Sequence, residues 1–246
     1  MHVTSRTVIS RTASTERPLL LEGPAGLLEA RLTPPRAGDY PAVAVVCHPH
    51  PLYGGSLDNK VTATLARTLS DCSVPALRFN FRGVGASAGA YADGEGETDD
   101  LLAVAWEARR LYPGRELWLT GFSFGAYVAL RAAQGLDPAR LITIAPPVHL
   151  YDCAELPAPH CPWLLIQGRS DEVVPCKEVM RWASRCYPAP HAVYLDGVGH
   201  YFHGRLATLR AVIKAELAVL VPTCGPPPAD AFLPPPGLSG DGHAGS

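Results

Sequence analysis

The sequence predicts an α/β protein built on one mostly parallel sheet of about seven or eight strands, with helices on both faces. Two observations support this fold class. Short apolar runs alternate with amphipathic segments along most of the chain, which is the pattern of a parallel sheet connected by helices. The 246 residues are also 47% hydrophobic, which is enough for a large core. A chain of this length and class commonly forms one domain, and nothing in it indicates a second.

The predicted elements begin with a hairpin at the edge of the sheet. Two strand-like runs, 18–22 and 27–32, flank Gly23-Pro24-Ala25-Gly26, which supplies a turn. The later strands are predicted from short apolar runs, and the helices from apolar residues three and four apart. In chain order these are a strand at 43–47, a helix from Asp58, a strand at 74–81, a helix from about 98 to 112, a strand at 116–120, a helix over 126–133, strands at 141–145, 163–167 and 191–195, and a final helix with Leu206, Leu209, Ile213, Leu217 and Leu220 on one stripe.

The most informative motif is Gly121-Phe122-Ser123-Phe124-Gly125, which lies between a predicted strand and a predicted helix. A serine at such a sharp turn occupies a sparsely populated backbone conformation that lifts its hydroxyl clear of the sheet. A side chain at either glycine would collide with the strand or helix pressed against the turn. The motif predicts that Ser123 is a nucleophile, although glycines and serine also occur in ordinary turns.

A serine hydroxyl needs a general base, and the base needs a carboxylate that orients it. Where this turn is used, the chain order is serine, acid, histidine, with the acid and the histidine in loops after later strands. Asp171 follows the strand at 163–167, and His200 follows the strand at 191–195. All three loops leave the same edge of one parallel sheet, so we expect Ser123, Asp171 and His200 to converge.

Other residues compete for the acid and base roles. On an extended loop Glu172 is expected to point away from the site, and Asp152 is disfavoured by its loop position. Asp196 is expected to hydrogen-bond within its own turn. His203, one helical turn after His200, is expected to be a surface histidine on the last helix.

The apolar strand at 43–47 runs into His48-Pro49-His50-Pro51-Leu52-Tyr53-Gly54-Gly55. Acyl-transfer chemistry needs two backbone donors for an oxyanion, one from the residue after the nucleophile and one from this earlier loop. The first donor is the amide of Phe124. Because proline has no N–H, His50 is the predicted second donor, with Leu52 and Tyr53 behind it. The alternative is a stiff turn in which histidines, above all His48, hydrogen-bond to the backbone.

Three further patterns have structural interpretations. The histidines at 48, 50, 200 and 203 raise the question of zinc, but no carboxylate or cysteine stands at standard ligand spacing, so no metal is expected. The Arg82-Gly83-Val84-Gly85 turn lacks the third glycine of a dinucleotide fingerprint, and Arg82 is expected to brace nearby backbone or carboxylates. The acidic run 93–100 is expected to be a solvated loop that enters a helix near Thr98.

Taken together, these motifs resemble the α/β-hydrolase superfamily, and the chain is similar to its small lidless bacterial members of the dienelactone-hydrolase-like type. The resemblance implies an α/β-hydrolase fold without a large cap domain and an esterase-like activity without cofactor. It does not imply a substrate. The resemblance extends from residue 40 to residue 205 and includes the motif 48–55, Phe79-Asn80-Phe81-Arg82-Gly83-Val84-Gly85-Ala86-Ser87, Gly94-Glu95-Gly96-Glu97-Thr98-Asp99-Asp100, the serine turn, Asp171 and His200.

Chain organisation fits that resemblance. Only about fifteen residues separate Pro147 from the strand at Trp163, where related folds usually insert a cap domain, so no sizeable lid is expected. The predicted units are a flexible segment at 1–17, an α/β-hydrolase domain at 18–221 and a disordered tail rich in proline and glycine at 222–246.

Composition limits the expected partners and location. The formal net charge of −2 leaves no basic surface for nucleic acid or acidic membranes, so small molecules are the expected partners. Seven cysteines without a Cys-x-x-Cys pair favour reduced thiols in the cytoplasm. The polar N-terminus lacks the apolar core of a signal peptide, and no apolar run reaches membrane-spanning length. We expect a cytoplasmic monomer or homodimer.

The sequence therefore predicts a serine hydrolase of the carboxylesterase type (EC 3.1.1.-). Ser123 would attack an ester or thioester, His200 would carry the proton, and Asp171 would orient His200. The amides of Phe124 and His50 would hold the oxyanion, and water would release the acyl group. No cofactor is expected. The alternatives are a peptidase or acyltransferase with the same residues, and a non-catalytic binding protein. The apolar walls of the pocket are expected from Phe122, Phe124, Tyr53 and Tyr201.

Overall fold

The computed structural model describes residues 16–38 and 40–218, which contain eight strands and five α-helices. The strands are β1 (Arg17–Gly23), β2 (Gly26–Thr33), β3 (Ala42–Cys47), β4 (Ala76–Phe79), β5 (Glu116–Phe122), β6 (Arg140–Ile144), β7 (Trp163–Gly168) and β8 (His191–Leu195). The helices are α1 (Lys60–Asp71), α2 (Glu95–Leu111), α3 (Phe124–Leu136), α4 (Cys176–Ala183) and α5 (Leu206–Ala218).

The strands form a single sheet in the order β1-β2-β4-β3-β5-β6-β7-β8. The pairs β1–β2 and β2–β4 are antiparallel, and the other neighbouring pairs are parallel. The predicted fold class and edge hairpin are thus confirmed. From β3 the chain winds to one side of the sheet, and from β5 to the other. Ligands bind outside the carboxyl ends of the strands at such a switch point.

Both faces of the sheet are covered, as the alternating pattern predicts. Apolar side chains of α2, α3 and α4 form a core with one face, and those of α1 and α5 form a core with the other. All six residues of β3 are buried, because a central parallel strand contacts helices on both sides. Loops that leave the central strands therefore start from a rigid platform.

Two helix starts differ from the prediction because local caps determine them. α1 begins at Lys60 rather than Asp58, since the Asn59 side chain accepts hydrogen bonds from the first amides of the helix. α2 begins at Glu95 rather than Thr98. The Glu97 carboxylate accepts hydrogen bonds from two amides before and at the cap, at 2.9 and 2.8 Å, and Gly94 supplies a positive φ of 90°.

The prediction of a solvated acidic loop at 93–100 was wrong for two of its carboxylates. Glu97 and Asp100 are fully buried, because each has specific donors. Asp100 pairs with Arg82 at 2.7 Å and also accepts from the backbone amide of Arg82. The expectation that Arg82 braces a nearby carboxylate is therefore confirmed, and the pair ties the loop after β4 to α2.

Several other expectations need adjustment. Helix α4 was not predicted from the sequence, and it buries only three side chains. His203 lies in the turn before α5, and not on the helix, because α5 begins at Leu206. The structure describes a single α/β unit within the predicted domain 18–221. The predicted N-terminal segment and tail lie almost wholly outside the described residues, as does Leu220.

The cysteine prediction holds in part. Five cysteines carry free thiols, namely Cys47, Cys153, Cys161, Cys176 and Cys186. Cys72 is disulfide-bonded, so five of the six described cysteines have the reduced thiols that the sequence favours. Within residues 16–38 and 40–218 no helix combines the length and apolar character needed to cross a bilayer.

Candidate active site

Ser123 lies at the tight turn between β5 and α3. Its φ of 54° and ψ of −120° fall in a region that few residues other than glycine adopt. A Cβ on Gly121 would lie 2.1 Å from the carbonyl oxygen of Gly125, and a Cβ on Gly125 would lie 2.5 Å from the carbonyl oxygen of His48. Only glycine fits at either position, as expected from the motif, and the turn places the serine at the carboxyl end of the sheet.

The structure brings Ser123, His200 and Asp171 together. Ser123 Oγ lies 3.1 Å from His200 Nε2, and His200 Nδ1 lies 2.9 Å from Asp171 Oδ2. All three side chains are buried, and hydrogen bonds are stronger in such a low-dielectric setting. A hydroxyl, an imidazole and a carboxylate in this order can activate the hydroxyl oxygen for attack.

Asp171 is held in place by donors from its own part of the chain. The amides of Val173 and Val174 donate to Oδ1 at 2.9 and 2.7 Å, and Gln167 Nε2 donates to Oδ2 at 3.0 Å. Gln167 is fully buried, and its contact with Asp171 was not predicted from the sequence. The signal was available, since Gln167 is a polar residue at the end of the otherwise apolar strand β7.

The competing residues have other partners. Glu172 Oε2 accepts a hydrogen bond from the backbone amide of His200 at 3.1 Å, so it stabilises the loop that carries the imidazole. Asp196 forms an ion pair with Arg169 at 3.0 Å instead of the expected bond within its own turn. His203 is exposed. In the described part of the chain, no three histidine, cysteine, aspartate or glutamate side chains form a group that could hold a metal ion.

The loop after β3 lies against the serine turn. The amides of Phe124 and His50 donate no hydrogen bond to any group within the described residues. The imidazole of His50 is turned back on its loop, where Nδ1 accepts from the amide of Leu52 at 3.2 Å. Burial lowers the pKa of His50 below its usual value. Both amides predicted as oxyanion donors are thus free to bind a ligand.

His48 is fully buried beneath this loop. The amide of Phe81 donates to His48 Nε2 at 3.0 Å, so Nδ1 carries the ring proton and donates to the carbonyl oxygen of Pro49 at 2.6 Å. Burial lowers the pKa of His48 from 6.5 to about 4, which keeps the ring neutral at physiological pH. The expected hydrogen bond from His48 to the loop backbone is confirmed.

A cavity of about 250 Å³ opens beside Ser123. Tyr53, Phe124 and Tyr201 line it, as the sequence predicts. Phe122 does not line the cavity; it is buried in the core under the imidazole, with ring centroids 5.0 Å apart. Tyr151 was missed, because it lies in an irregular loop after β6. The other lining residues are Pro49, His50, Gly54, Gly55, Asn59, Pro147, Leu150, Val173 and His200.

The chain is similar to known proteins in both sequence and fold. No protein-family model matches the chain. An uncharacterised protein of Rickettsia prowazekii is 32% identical over 212 residues, which are 82% of this chain and 89% of that protein. An α/β serine hydrolase without lid from Xanthomonas campestris is 42% identical, with a TM-score of 0.81 over 84% of this chain and 95% of that one. An α/β serine hydrolase homologue from Coxiella burnetii is 41% identical, with a TM-score of 0.80 over 82% and 97%.

Proposed function

Because the chain belongs to the lidless serine hydrolases of the α/β-hydrolase superfamily, we propose that it cleaves carboxylic esters or thioesters of small molecules through an acyl-enzyme. The observation that carries this proposal is the continuous hydrogen-bonded path from Ser123 through His200 to Asp171. The path ends in a carboxylate that three further donors hold in place. Such an arrangement activates a serine that is otherwise a weak nucleophile.

In the first half-reaction Ser123 Oγ attacks the carbonyl carbon while its proton moves to His200 Nε2. Asp171 stabilises the imidazolium through Nδ1. The carbonyl oxygen becomes an oxyanion, for which the free amides of Phe124 and His50 are the donors. When the carbon–oxygen or carbon–sulfur bond to the leaving group breaks, His200 returns the proton to that group.

The second half-reaction repeats these steps with water. His200 takes a proton from water, and the resulting hydroxide attacks the acyl carbon. Collapse of the second oxyanion breaks the bond to Ser123 Oγ, and His200 protonates the serine. The products are a carboxylic acid and the alcohol or thiol already released, and no external electron donor or acceptor is needed.

A fluorophosphonate probe with intact-mass analysis tests the proposal. Wild-type protein should gain one adduct, and peptide mapping should place it on Ser123. Ser184→Ala is a matched control, because Ser184 is an exposed serine whose hydroxyl donates to a helix carbonyl; this variant should be labelled like wild type. Ser123→Ala should gain no adduct. An unlabelled wild-type protein that is folded would rule out Ser123 as the nucleophile.

A further inference from the structure

Apolar side chains form an exposed rim around the cavity. Its members are 38% to 85% exposed to solvent, although such groups are normally buried at a gain of roughly 1.5–3 kcal/mol each. They come from separate loops that follow β3, β6, β7 and β8, so no single local structure explains them. Contiguous exposed apolar surface beside a pocket is typical of a ligand-binding groove. The rim consists of Tyr53, Leu150, Val173 and Tyr201.

Aromatic rings continue the rim into the cavity. The rings of Tyr151 and His50 contact that of Phe124, with centroids 5.6 and 5.0 Å apart. Tyr127 stacks on Tyr151 from behind at 4.5 Å, and Tyr91 packs against His50 at 4.9 Å. Each ring is thus supported by another ring. The result is a rigid wall of ring surfaces, which favours a flat or branched apolar group over a flexible polar one.

The volume of the cavity limits what this wall can hold. An apolar cavity of about 150 Å³ accommodates benzene, and pockets for drug-sized ligands begin near 300 Å³. The cavity beside Ser123 has about 250 Å³, so it holds one ring-sized group together with the ester carbonyl. A longer substituent has to extend across the rim.

The charge around the cavity disfavours anions. No lysine, arginine, aspartate or glutamate lines it among the described residues. A neighbouring depression shares Leu150 and Tyr151 with it and is lined by three carboxylates and one cation. Arg131, the cation, is already hydrogen-bonded to the hydroxyl of Tyr127 at 3.2 Å. The three carboxylates belong to Asp93, Glu95 and Asp152.

We propose that this site takes small uncharged esters and thioesters whose acyl or leaving group is one aromatic ring or branched hydrocarbon. The site discriminates against esters that carry a carboxylate or phosphate. This inference rests on the proposed hydrolysis by Ser123 and narrows its substrate class. The uncharged wall holds the apolar group. An anionic substituent would meet no cation within the cavity and would face a neighbouring depression in which three carboxylates outnumber one cation. For the same reason we expect thioesters of nucleotide-bearing carriers, which are polyanions, to be poor substrates.

The test compares two aryl esters with the same leaving group. One is the mono-p-nitrophenyl ester of terephthalic acid, whose free carboxylate is charged at pH 7.5, and the other is its uncharged methyl ester. Each kcat/KM is divided by the rate constant for alkaline hydrolysis of the same ester, which removes intrinsic reactivity. The uncharged ester should be preferred roughly tenfold or more, as expected for a repelled and poorly solvated carboxylate.

Charge variants identify the source of the discrimination. In Asp93→Asn/Asp152→Asn the preference should shrink several-fold and become less sensitive to salt, because screened surface charges cause part of it. Glu22→Gln is the matched control, since Glu22 is an exposed carboxylate on the edge strand β1; its preference should equal that of wild type. An unchanged preference in the double variant would overturn the role given to these carboxylates.

Fluorophosphonate labelling of the same preparations separates this inference from the proposed function. Labelled enzyme that cleaves both terephthalate esters equally well, prefers the charged one, or cleaves neither overturns the substrate class and leaves Ser123 as nucleophile. Wild-type enzyme that is not labelled overturns the proposed function itself.

Discussion

The imidazole of His48 makes two hydrogen bonds, and different substitutions at this position can remove them one at a time. Its Nδ1–H donates to the carbonyl of Pro49, and its Nε2 accepts from the amide of Phe81. The Pro49 carbonyl and the His50 amide belong to the same planar trans peptide, so they point in opposite directions. By holding the carbonyl inward, His48 turns the His50 N–H outward, where an oxyanion donor is needed. We therefore expect His48 to be a positioning residue for that amide.

Asparagine and glutamine at this position each keep one of the two hydrogen bonds and lose the other. The Asn side-chain amide reaches the place of Nδ1 and can still donate to Pro49, but it leaves the Phe81 amide unpaired, at a cost of about 1–3 kcal/mol in stability. Glutamine reaches the place of Nε2, so it satisfies Phe81 and releases the Pro49 carbonyl. Complete loss of one oxyanion donor lowers kcat by about 10²–10³. In His48→Gln the peptide between Pro49 and His50 can rotate but keeps its N–H, so we expect kcat to fall by roughly 10- to 100-fold.

Kinetics and thermal unfolding together test this reasoning. His48→Gln should lose kcat with little change in KM and should bind a trifluoromethyl ketone inhibitor, which forms an oxyanion on the serine, correspondingly more weakly. His48→Asn should have the lower unfolding temperature and yet the higher kcat. If activity simply follows stability in the two variants, or if His48→Gln keeps wild-type kcat, then His48 does not orient the His50 amide.

Three further outcomes follow from contacts at the site. Gly125→Ala should lower kcat by roughly tenfold or more and weaken the same ketone inhibitor, because its Cβ would meet the His48 carbonyl at 2.5 Å and push the donor loop away; an unchanged inhibitor affinity would contradict this. The free energy of unfolding should fall by up to about 3 kcal/mol as pH falls from 6.5 towards 4, because buried His48 has a pKa of about 4 and between these pH values only the unfolded chain binds a proton on this ring. The free energy of unfolding of His48→Asn should fall less over that window. An equal fall in both proteins would assign the acid sensitivity to other groups. Gln167→Glu should reduce kcat more than Gln167→Leu, because Gln167 contacts Asp171 at 3.0 Å and a second carboxylate would replace a donor; equal losses would mean that Gln167 matters only for packing.

Much of the fold follows from local pattern. The strands β3 to β8 are short apolar runs, and their order along the chain with helices between them specifies a parallel sheet. The wrong predictions concern the start of a helix and the burial of a carboxylate, which individual side chains determine. Gly94 and Glu97 start α2 three residues earlier than the periodicity indicates, and burial of Asp100 depends on Arg82, which is distant in sequence. The Arg82–Asp100 pair joins residues 18 positions apart, so it leaves no signal in a local window.

The site was predictable to the extent that it depends on the ends of strands. Ser123, Asp171 and His200 each follow a predicted strand, and their convergence follows from the parallel sheet. The walls of the pocket were less predictable. Phe122 is the last residue of β5, which is buried on both faces, and it packs in the core, whereas Tyr151 reaches the pocket from an irregular loop. The direction of a side chain from such a loop depends on packing and not on periodicity.

The contacts divide the site into two rigid parts. One part joins the loop after β3 to the serine turn, since Gly125 lets the His48 carbonyl approach the start of α3; it holds Ser123 and both candidate oxyanion donors. This approach makes the position of each donor depend on the other.

The second part joins the loops after β7 and β8. The amides of Arg169 and Ser170 donate to carbonyls at the end of β8 and in the following turn, at 2.9 and 3.1 Å, and Glu172 accepts from the amide of His200. The two parts meet at the 3.1 Å contact between Ser123 Oγ and His200 Nε2 and at the ring of Phe122 under the imidazole. Substitutions within one part should therefore impair either stabilisation of the oxyanion or transfer of the proton. The double substitution His48→Gln/Gln167→Leu, whose sites share no hydrogen-bond partner across the Ser123–His200 contact, should then show nearly additive losses in activation free energy, whereas two changes within one part should not.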